Sequence, residues 1–421
     1  MKSIKDTTAI VGVATTDFST DSGRTEYSLA CEVIKAAVDD AGLRLDQIDG
    51  MVKDVVDGID AMYVQKALGM ETLSYSSDSH WGTSPLLNAV TAIASGTANY
   101  VVYFRSANNG SGKRAGSDFR AAKETKDESL DLIRYDFYSP FGLLTPAGMI
   151  GMGVRRYYDD YGIDPAQIGW VPVVCSEHAA ANPHAIFFDA PIGHDDYLAS
   201  DVVVDPLRRL DCAPEVDGAI AVVITSAERA KDLADTPAVV MSVAQGTSTE
   251  GENLSSYNRE VLSRLPEMEL MGRELFRVAG IGPSDISVAQ LDDRFAPLVP
   301  MQLEALGFCG EGEGAAFCEG GDALRVGGRL ALNTNGGFLG EGLLARHERD
   351  RGGPPDPWHL DQPGRRRGVG AGGHRCGWPC GRSDPAPVAI TAIATATAGA
   401  GGASRWAGFI DRASTPEVVA A

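Results

Sequence analysis

With 421 residues, 44% of them hydrophobic and 22% charged, the chain is long enough to bury a large core, or two similar halves sharing one. Its formal charge of -20 at pH 7 repels phosphate backbones and anionic bilayers, which are bound through clustered Lys and Arg, and so argues against nucleic acid or a membrane as partner. The opening MKSIKDTTAIVGVATT has no long apolar stretch, and no run of about 20 apolar residues follows that would span a bilayer, so a cytoplasmic location is expected.

In chain order, TTAIVGVATT reads as a strand, and from Tyr27 to Ala41 the residues Leu29, Val33, Ala36, Ala37 and Val38 recur at helical spacing. Gly42 stands where a left-handed helix C-cap belongs, and LRLDQIDGMV leads into a second extended run. Next comes the loop DSHWGTSP, Asp78 to Pro85. Ser84 can cap, and Pro85 can open, a helix carrying Leu86, Leu87, Ala89, Val90 and Ile93 and closed by Gly96. The strand YVVYF, Tyr100 to Phe104, follows. Roughly residues 111 to 200 are richer in charge and aromatics and read as an irregular insert, a candidate substrate lid. The seven cysteines, Cys31, Cys175, Cys212, Cys309, Cys318, Cys376 and Cys380, form neither a paired framework nor zinc-type spacing, and read as reduced thiols. Cys31, inside the helical pattern, reads as a small buried hydrophobe.

The second half repeats the first. AGIGPSDISVAQL, around Gly280, follows a helix just as AGLRLDQIDGMV follows the earlier one; both carry Ala-Gly, an aliphatic residue, then an Ile five positions on. Shared wording at matching places implies an internal duplication, each half a βαβ unit with mostly parallel strands. Strand ends facing each other then build one site.

Several strings together carry a family resemblance: YVVYFRSANNGSGKRAG, HAAANPHA, DPLRRLDCAPEVDGAIAVVITSAERA, QLDDRF followed by LEALGFCGEGEGAAF, and LNTNGGFLGEG. In this order, over about residues 8 to 342, the chain resembles the thiolase superfamily and, within it, the sterol-carrier and lipid-transfer branch. The resemblance implies an α/β fold: thiolase-like duplicated βαβ halves in a layered αβαβα arrangement with an inserted loop domain. Residues 1–110 and 201–235 are then the first half, 111–200 the insert, 236–342 an incomplete second half, and 343–421 an aberrant or disordered tail. It also implies a coenzyme A thioester as substrate with no bound cofactor or metal, a homodimer, and a small OB-fold and zinc-ribbon partner protein.

The site residues follow from the same strings. In thiolases the loop before this AIASG helix carries a cysteine three residues ahead of a Gly; counting back from Gly82 lands on Ser79. A serine there needs an adjacent base to become a nucleophile, so Ser79 either forms an acyl intermediate or shapes the pocket, with His80 and Gly82 beside it expected to bind substrate or oxyanion. Loss of the thiol points to retro-aldol cleavage of a β-hydroxyacyl-CoA in lipid or steroid side-chain degradation, which needs a general base and donors for an enolate. The rivals are a thiolytic acetyl-CoA acyltransferase and a non-catalytic acyl-CoA or sterol-binding subunit. In NTNGG, paired glycines let backbone amides approach a carbonyl, so Asn335, Gly336 and Gly337 are expected to bind substrate or oxyanion, with a tight turn as the plainer reading. In QLDDRF the branch usually has Tyr or His where this chain has Asp292, which is the candidate base, with a solvated strand-end acid as the alternative and Arg294 opposing. GEGEG, Gly310 to Gly314, lacks the Lys and Ser or Thr of a nucleotide loop and reads as a turn.

Past Gly342 the text becomes dense in Arg, Gly and Pro. The resembled branch continues with Tyr, any residue, then His-Gly-Met-Asn. Codons permitted for Leu343 to Arg351, shifted by one base, read Tyr-Leu-His-Gly-Met-Asn-Glu-Ile-Ala; those for Pro357 to Gly364 read Arg-Gly-Thr-Ser-Thr-Asn-Gln-Val. The expectation is an inserted base near the Gly342 codon that removes a Tyr and a His which the family places beside the enolate. The alternative is a natural disordered tail with TAIATATAGAGGAS as low-complexity linker.

Overall fold

The computed structural model describes residues 4–54, 59–79, 84–108, 141, 143, 146–234, 237–246, 261–344, 389–396 and 417–420. His80 and Gly82 lie outside the described residues, as do His347, His359, Cys376 and Cys380, and of Ser79 only the backbone is described.

Twelve strands are described: β1 (Thr8–Thr15), β2 (Gly50–Asp54), β3 (Tyr75–Ser79), β4 (Tyr100–Asn108), β5 (Val202–Val204), β6 (Leu207–Arg208), β7 (Asp217–Ser226), β8 (Ala238–Gly246), β9 (Val288–Ala289), β10 (Ala331–Leu332), β11 (Ala389–Ala396) and β12 (Glu417–Ala420). Ten form one sheet in the order β10-β9-β12-β11-β8-β1-β7-β4-β2-β3, and β5 pairs with β6 alone. In the first half β3, β2 and β4 run parallel, while β7 is antiparallel to both β4 and β1. The second half shows the same directions: β10, β9 and β12 parallel, β11 antiparallel to β12 and β8. The halves join where Thr8 to Ile10 of β1 pairs antiparallel with β8.

The repeated wording produces repeated structure. The helix Glu26–Asp40 starts at Thr25, whose side chain accepts the Ser28 N–H, and buries Leu29, Ala30, Val33, Ile34, Ala37 and Val38 along one face. Gly42 follows at φ 68°, then a 3-10 turn Leu45–Gln47 and β2. In the second half the helix Pro266–Ala279 ends on Gly280 at φ 74°, followed by a 3-10 turn Pro283–Asp285 and β9. A Cβ at either glycine would be strained by that left-handed backbone.

Helix Glu26–Asp40 covers one face of the first half-sheet, its buried residues packing with Val102, Phe104, Ala219, Ala221 and Val223. The helix Ser84–Ala94 lies on the other face, where Ala89, Val90 and Ile93 meet Val52, Val101, Val222, Ile224 and, from the second half, Val240 and Val243. That helix is a layer shared by both half-sheets, as the layered α/β reading expects. Gly96 closes it at φ 76°, and GEGEG is a turn in which the Gly310 N–H donates to Glu313 Oε2 at 2.9 Å.

Three expectations change. The described part of the insert is not irregular: helices Pro146–Tyr161, Pro165–Ile168, Trp170–Ala180 and His194–Ala199 build it. Val154, Tyr157, Ile168, Val171 and Val174 share one core with Leu275, Phe295 and Met301, so these helices are walls of the second half. Cys31 is half-buried, since it sits at the margin of its helix's apolar face. The tail is also not without order among the described residues: part of the supposed linker TAIATATAGAGGAS lies in β11, antiparallel to β8, and β12 pairs with β11 and β9. A run of small and β-branched residues without Pro or Gly, such as AITAIATA, suits a sheet slot flanked by two strands.

Candidate functional site at the strand tips

β2 and β3 are parallel, with Asp54 opposite Ser79 in register, so both chains leave the sheet at one rim. Lys53 lies opposite Phe104 of β4, and the next β4 residue, Arg105, reaches back. Its Nη1 lies 3.5 Å from Asp54 Oδ2, and its Nη2 donates to the Leu344 carbonyl. The first half thus ends in a sealed ion pair, with Asp54 1% exposed.

In the second half Ala289 of β9 stands opposite Leu332 of β10, and the two loops that follow are tied together by Asn333. Its Oδ1 accepts the Leu291 N–H at 2.7 Å while its Nδ2 donates to the Leu291 carbonyl at 3.0 Å, so one side chain imitates a further strand pair. Gln302, buried on the helix Leu298–Ala305, does the same for Asp292: its Oε1 accepts the Asp292 N–H at 3.2 Å and its Nε2 donates to the Asp292 carbonyl at 2.6 Å.

Both oxygens of Asp292 are taken by Arg294, Nε to Oδ1 at 2.9 Å and Nη2 to Oδ2 at 2.6 Å. This bidentate fork is the opposition expected from Arg294. Asp54 acts electrostatically on the Arg294 guanidinium too, so the tips of the two halves meet here.

Asp293 faces the other way and is fully buried. Its oxygens accept the N–H groups of Phe338 at 2.8 Å and Leu339 at 3.3 Å, the first turn of the short helix Gly337–Gly340, and Cys175 donates its thiol at 3.5 Å. Burial pushes this carboxyl up to about 6, with those two N–H groups pulling back and the Asp292 charge adding to the rise. The Cys175 thiol is driven well above its usual range by burial and then by the Asp293 charge.

The NTNGG segment is a tight turn. Gly336, at φ 109°, donates its N–H to the Asn333 carbonyl at 2.8 Å, and Gly337, at φ 62°, donates to Asn335 Oδ1 at 3.2 Å. The glycines are needed for two reasons: a Cβ on Gly336 would lie 2.6 Å from the Ala179 Cβ, and one on Gly337 would collide with Asp293 Oδ2. The two glycine N–H groups named as candidate oxyanion donors are therefore spent on the turn. At its centre, Thr334 and Asn335 have N–H groups without a hydrogen bond among the described residues. The Asn335 Nδ2 is also engaged, donating to Glu341. Glu341 is pushed up to about 7 by burial, against the pull of the Asn335 and Asn182 amides.

HAAANPHA proves to be the frame of this turn. His178 Nδ1 meets the Leu332 carbonyl at 2.9 Å, and Asn182 Nδ2 donates to the Asn335 carbonyl at 2.9 Å. The structure therefore brings Asp292 and Asn335 into one neighbourhood, linked through Asp293 and Asn333, and places the Ser79 backbone on the same rim as Asp54. Sequence reasoning missed Asp293, Asp54, Arg105, Asn182 and Glu341. For Asp54 a signal existed: Gly42 with Gly280, Ile48 with Ile286 and Asp54 with Asp292 keep one constant spacing.

Comparison with known proteins bears on what this rim does. Residues 246–344 match the family model described as thiolase C-terminal domain-like. The chain is 41% identical over 340 residues to a steroid side-chain-cleaving aldolase of Thermomonospora curvata, covering 80% of this chain and 86% of that protein. The chain belongs to the thiolase superfamily, in its steroid-aldolase-like branch. A 17-hydroxy-3-oxo-4-pregnene-20-carboxyl-CoA lyase of Mycobacterium tuberculosis is 42% identical over 340 residues, covering 80% of this chain and 87% of that one. The solved Ltp2-ChsH2(DUF35) aldolase superposes with a TM-score of 0.76 at 39% identity, covering 82% of this chain and 87% of that one. Within this thiolase-type chain the family match stops at Leu344, two residues past Gly342, where the Arg, Gly and Pro-rich text begins.

Proposed function

We propose that this chain is an acyl-CoA lyase that cleaves the carbon–carbon bond of a β-hydroxyacyl-CoA in steroid or lipid side-chain degradation, by a retro-aldol step. The observation that carries the reading is its 41% and 42% identity, over most of each length, to an aldolase and a CoA lyase of steroid side chains. The thiols support it. Thiolysis needs a thiolate nucleophile, whereas among the described residues Cys175, the thiol that touches Asp293, is buried, has its pKa raised and donates its S–H to that carboxylate.

The chemistry then assigns roles. A base takes the β-hydroxyl proton, the bond between the α and β carbons breaks, and its electron pair moves into the thioester as an enolate, whose α carbon is reprotonated as acyl-CoA. Asp292 is the candidate base, once Arg294 releases one of its oxygens. The unspent N–H groups of Thr334 and Asn335 are suited to the enolate oxygen, as preorganised dipoles are worth most where charge develops. Ser79, whose backbone stands opposite Asp54, keeps two readings, an acyl intermediate or a pocket-shaping hydroxyl. No step calls for a bound cofactor; the coenzyme A thioester is substrate.

The Arg294 fork favours a second reading, a non-catalytic acyl-CoA or sterol-binding subunit. Incubation with a β-hydroxyacyl-CoA bearing a steroid side chain, without free coenzyme A, separates the readings. Equal amounts of ketone and shortened acyl-CoA are expected. Product only from the corresponding β-ketoacyl-CoA, and only when coenzyme A is added, means thiolysis, and tight binding without product means a binding subunit.

Two assemblies belong to the proposal. β3 is an end strand with β2 as its one described neighbour, and its open edge suits a second copy of the chain. A small OB-fold and zinc-ribbon protein is the proposed heterologous partner, supported by the two proteins, Ltp2 and ChsH2, that make up the superposed aldolase. The five described cysteines are unpaired, which supports a reducing, cytoplasmic compartment, and no described helix is long and apolar enough to cross a membrane.

A further inference from the structure

Glu341 lies outside every role given above, yet it is bonded to both segments that frame the glycine turn. Its Oε2 accepts Asn335 Nδ2, and its Oε1 accepts Asn182 Nδ2 at 3.1 Å. The backbone carbonyl of Glu341 accepts the Ile186 N–H at 3.3 Å, tying the same residue to the far side of HAAANPHA. Each amide has a second duty. Asn182 Nδ2 also donates to the Asn335 carbonyl at 2.9 Å and Asn182 Oδ1 accepts the His184 N–H at 3.1 Å, while Asn335 Oδ1 accepts the Gly337 N–H at 3.2 Å.

These second duties fix which way round both carboxamides sit. Neither can flip without turning an NH2 group onto a backbone N–H. Two NH2 donors therefore point at one side chain from two directions, and an ionised carboxyl, an acceptor at both oxygens, satisfies both. Glutamine has the same shape but one acceptor oxygen, and would set its own NH2 against one of the Asn NH2 groups.

We infer that Glu341 is a positioning residue for the lyase reaction: its donor–acceptor polarity latches the turn at 333–337 to the segment at 178–186 and so aims the Thr334 and Asn335 N–H groups. This rests on the proposed function, but the latch itself is a property of the fold and is read out separately.

The test is a polarity swap in the full chain. Glu341→Gln alone breaks the pattern. Adding Asn335→Asp restores it: the new carboxylate at position 335 accepts the NH2 of the new amide at 341 with one oxygen and the Gly337 N–H with the other. The remaining amide oxygen at 341 still accepts from Asn182. In the single variant kcat on the β-hydroxyacyl-CoA is expected to fall about tenfold or more with KM within about twofold, and hydrogen–deuterium exchange of the 333–344 peptide to quicken. In the double variant the exchange rate recovers to within about threefold of wild type, while kcat stays low because a carboxylate at position 335 now sits beside the N–H groups aimed at the enolate. An unchanged single variant overturns the inference, and so does a double variant whose 333–344 peptide exchanges as fast as in the single one, since restoring the donor–acceptor pattern would then not restore the latch. If the wild type shows no turnover, the lyase reading fails, while the exchange data still decide the latch. Circular dichroism separates loss of the latch from loss of the fold.

Discussion

In the first half of the sheet the place beside β2 is taken by β4 and the place beside β1 by β7; in the second half the equivalent places are taken by β12 and β11, so the order of filling along the chain is reversed. Directions agree in both halves, but connectivity does not. The two strands that break the repeat both come from text beyond Leu344, where the family match ends. A slot between two strands selects for β-branched residues and a full set of backbone N–H groups, which AITAIATA offers, and it does not test whether the strands arrive in the duplicated order. The repeat was therefore broken by what fills the second half's centre, not by its helix, its glycine cap or its loops.

The largest expected effect comes from repairing that difference. If one base has entered near the Gly342 codon, sequencing the gene across Glu341 to Arg351 reveals it, and the corrected chain regains Tyr-Leu-His-Gly-Met-Asn directly after the turn that Asp293 and Glu341 hold. Restoring acid–base groups of that kind is worth about 10²–10⁴-fold. Turnover of the corrected chain is expected to exceed that of this chain by that factor. A gene with no shifted frame, or a corrected chain no faster than this one, removes the explanation.

A finer contrast sets Asp54 against Asp292, which hold the same place in the repeat. Each is met by an arginine, yet Asp54 is 1% exposed and Asp292 34% exposed. On the proposed function, the sealed pair belongs to folding and the open one to chemistry. Asp54→Asn leaves Arg105 with an uncompensated charge and is expected to cost about 3–5 kcal/mol in urea unfolding. Asp292→Asn is expected to lower stability by less than about 1 kcal/mol, because its pair is part-exposed, while reducing turnover about 10²–10⁴-fold. The reverse pattern would mean that the two aspartates have been assigned the wrong way round.

What could be read from the residues divides along the same line. The helix, the glycine cap and the extended run after it were legible in both halves because they are local: apolar spacing, and a left-handed position at Gly42 and Gly280 that glycine suits. The helices after residue 146 were not, although Tyr157 and Tyr161 stand one turn apart, because dense charge hid the apolar stripe. Of the site, QLDDRF and NTNGG were visible as strings. Their chemistry was not, since it depends on burial and on partners far along the chain: Asp293 is defined by Phe338 and Cys175, Asp54 by Arg105, and the turn by Asn182. A string locates a loop, but only packing says which N–H groups are already spent.

The smallest expected effect distinguishes the halves by pH. Three described carboxyls raised by burial cluster against the second half: Asp293 at about 6, and Asp211 and Glu341 at about 7. Asp211 accepts the Tyr197 hydroxyl at 3.0 Å and the Arg208 N–H at 2.7 Å, and its carbonyl takes the Ala296 N–H. In the unfolded chain such groups titrate near about 4. Since each folded value lies above the unfolded one, the native state holds these protons more tightly; the stability they contribute is present below about pH 4 and is lost as pH rises through about 6 to 7. Asp211→Asn keeps a neutral side chain at every pH and is expected to flatten the decline in urea-unfolding stability between about pH 5 and 8 by on the order of 2–3 kcal/mol. Hydrogen exchange should place the pH-dependent loosening around the helix Leu298–Ala305, with β4 and β7 unaffected. Equal loosening of β4 and β7 would show that the two halves unfold as one unit, and the contrast between a sealed first half and a proton-sensitive second half would then have no thermodynamic meaning.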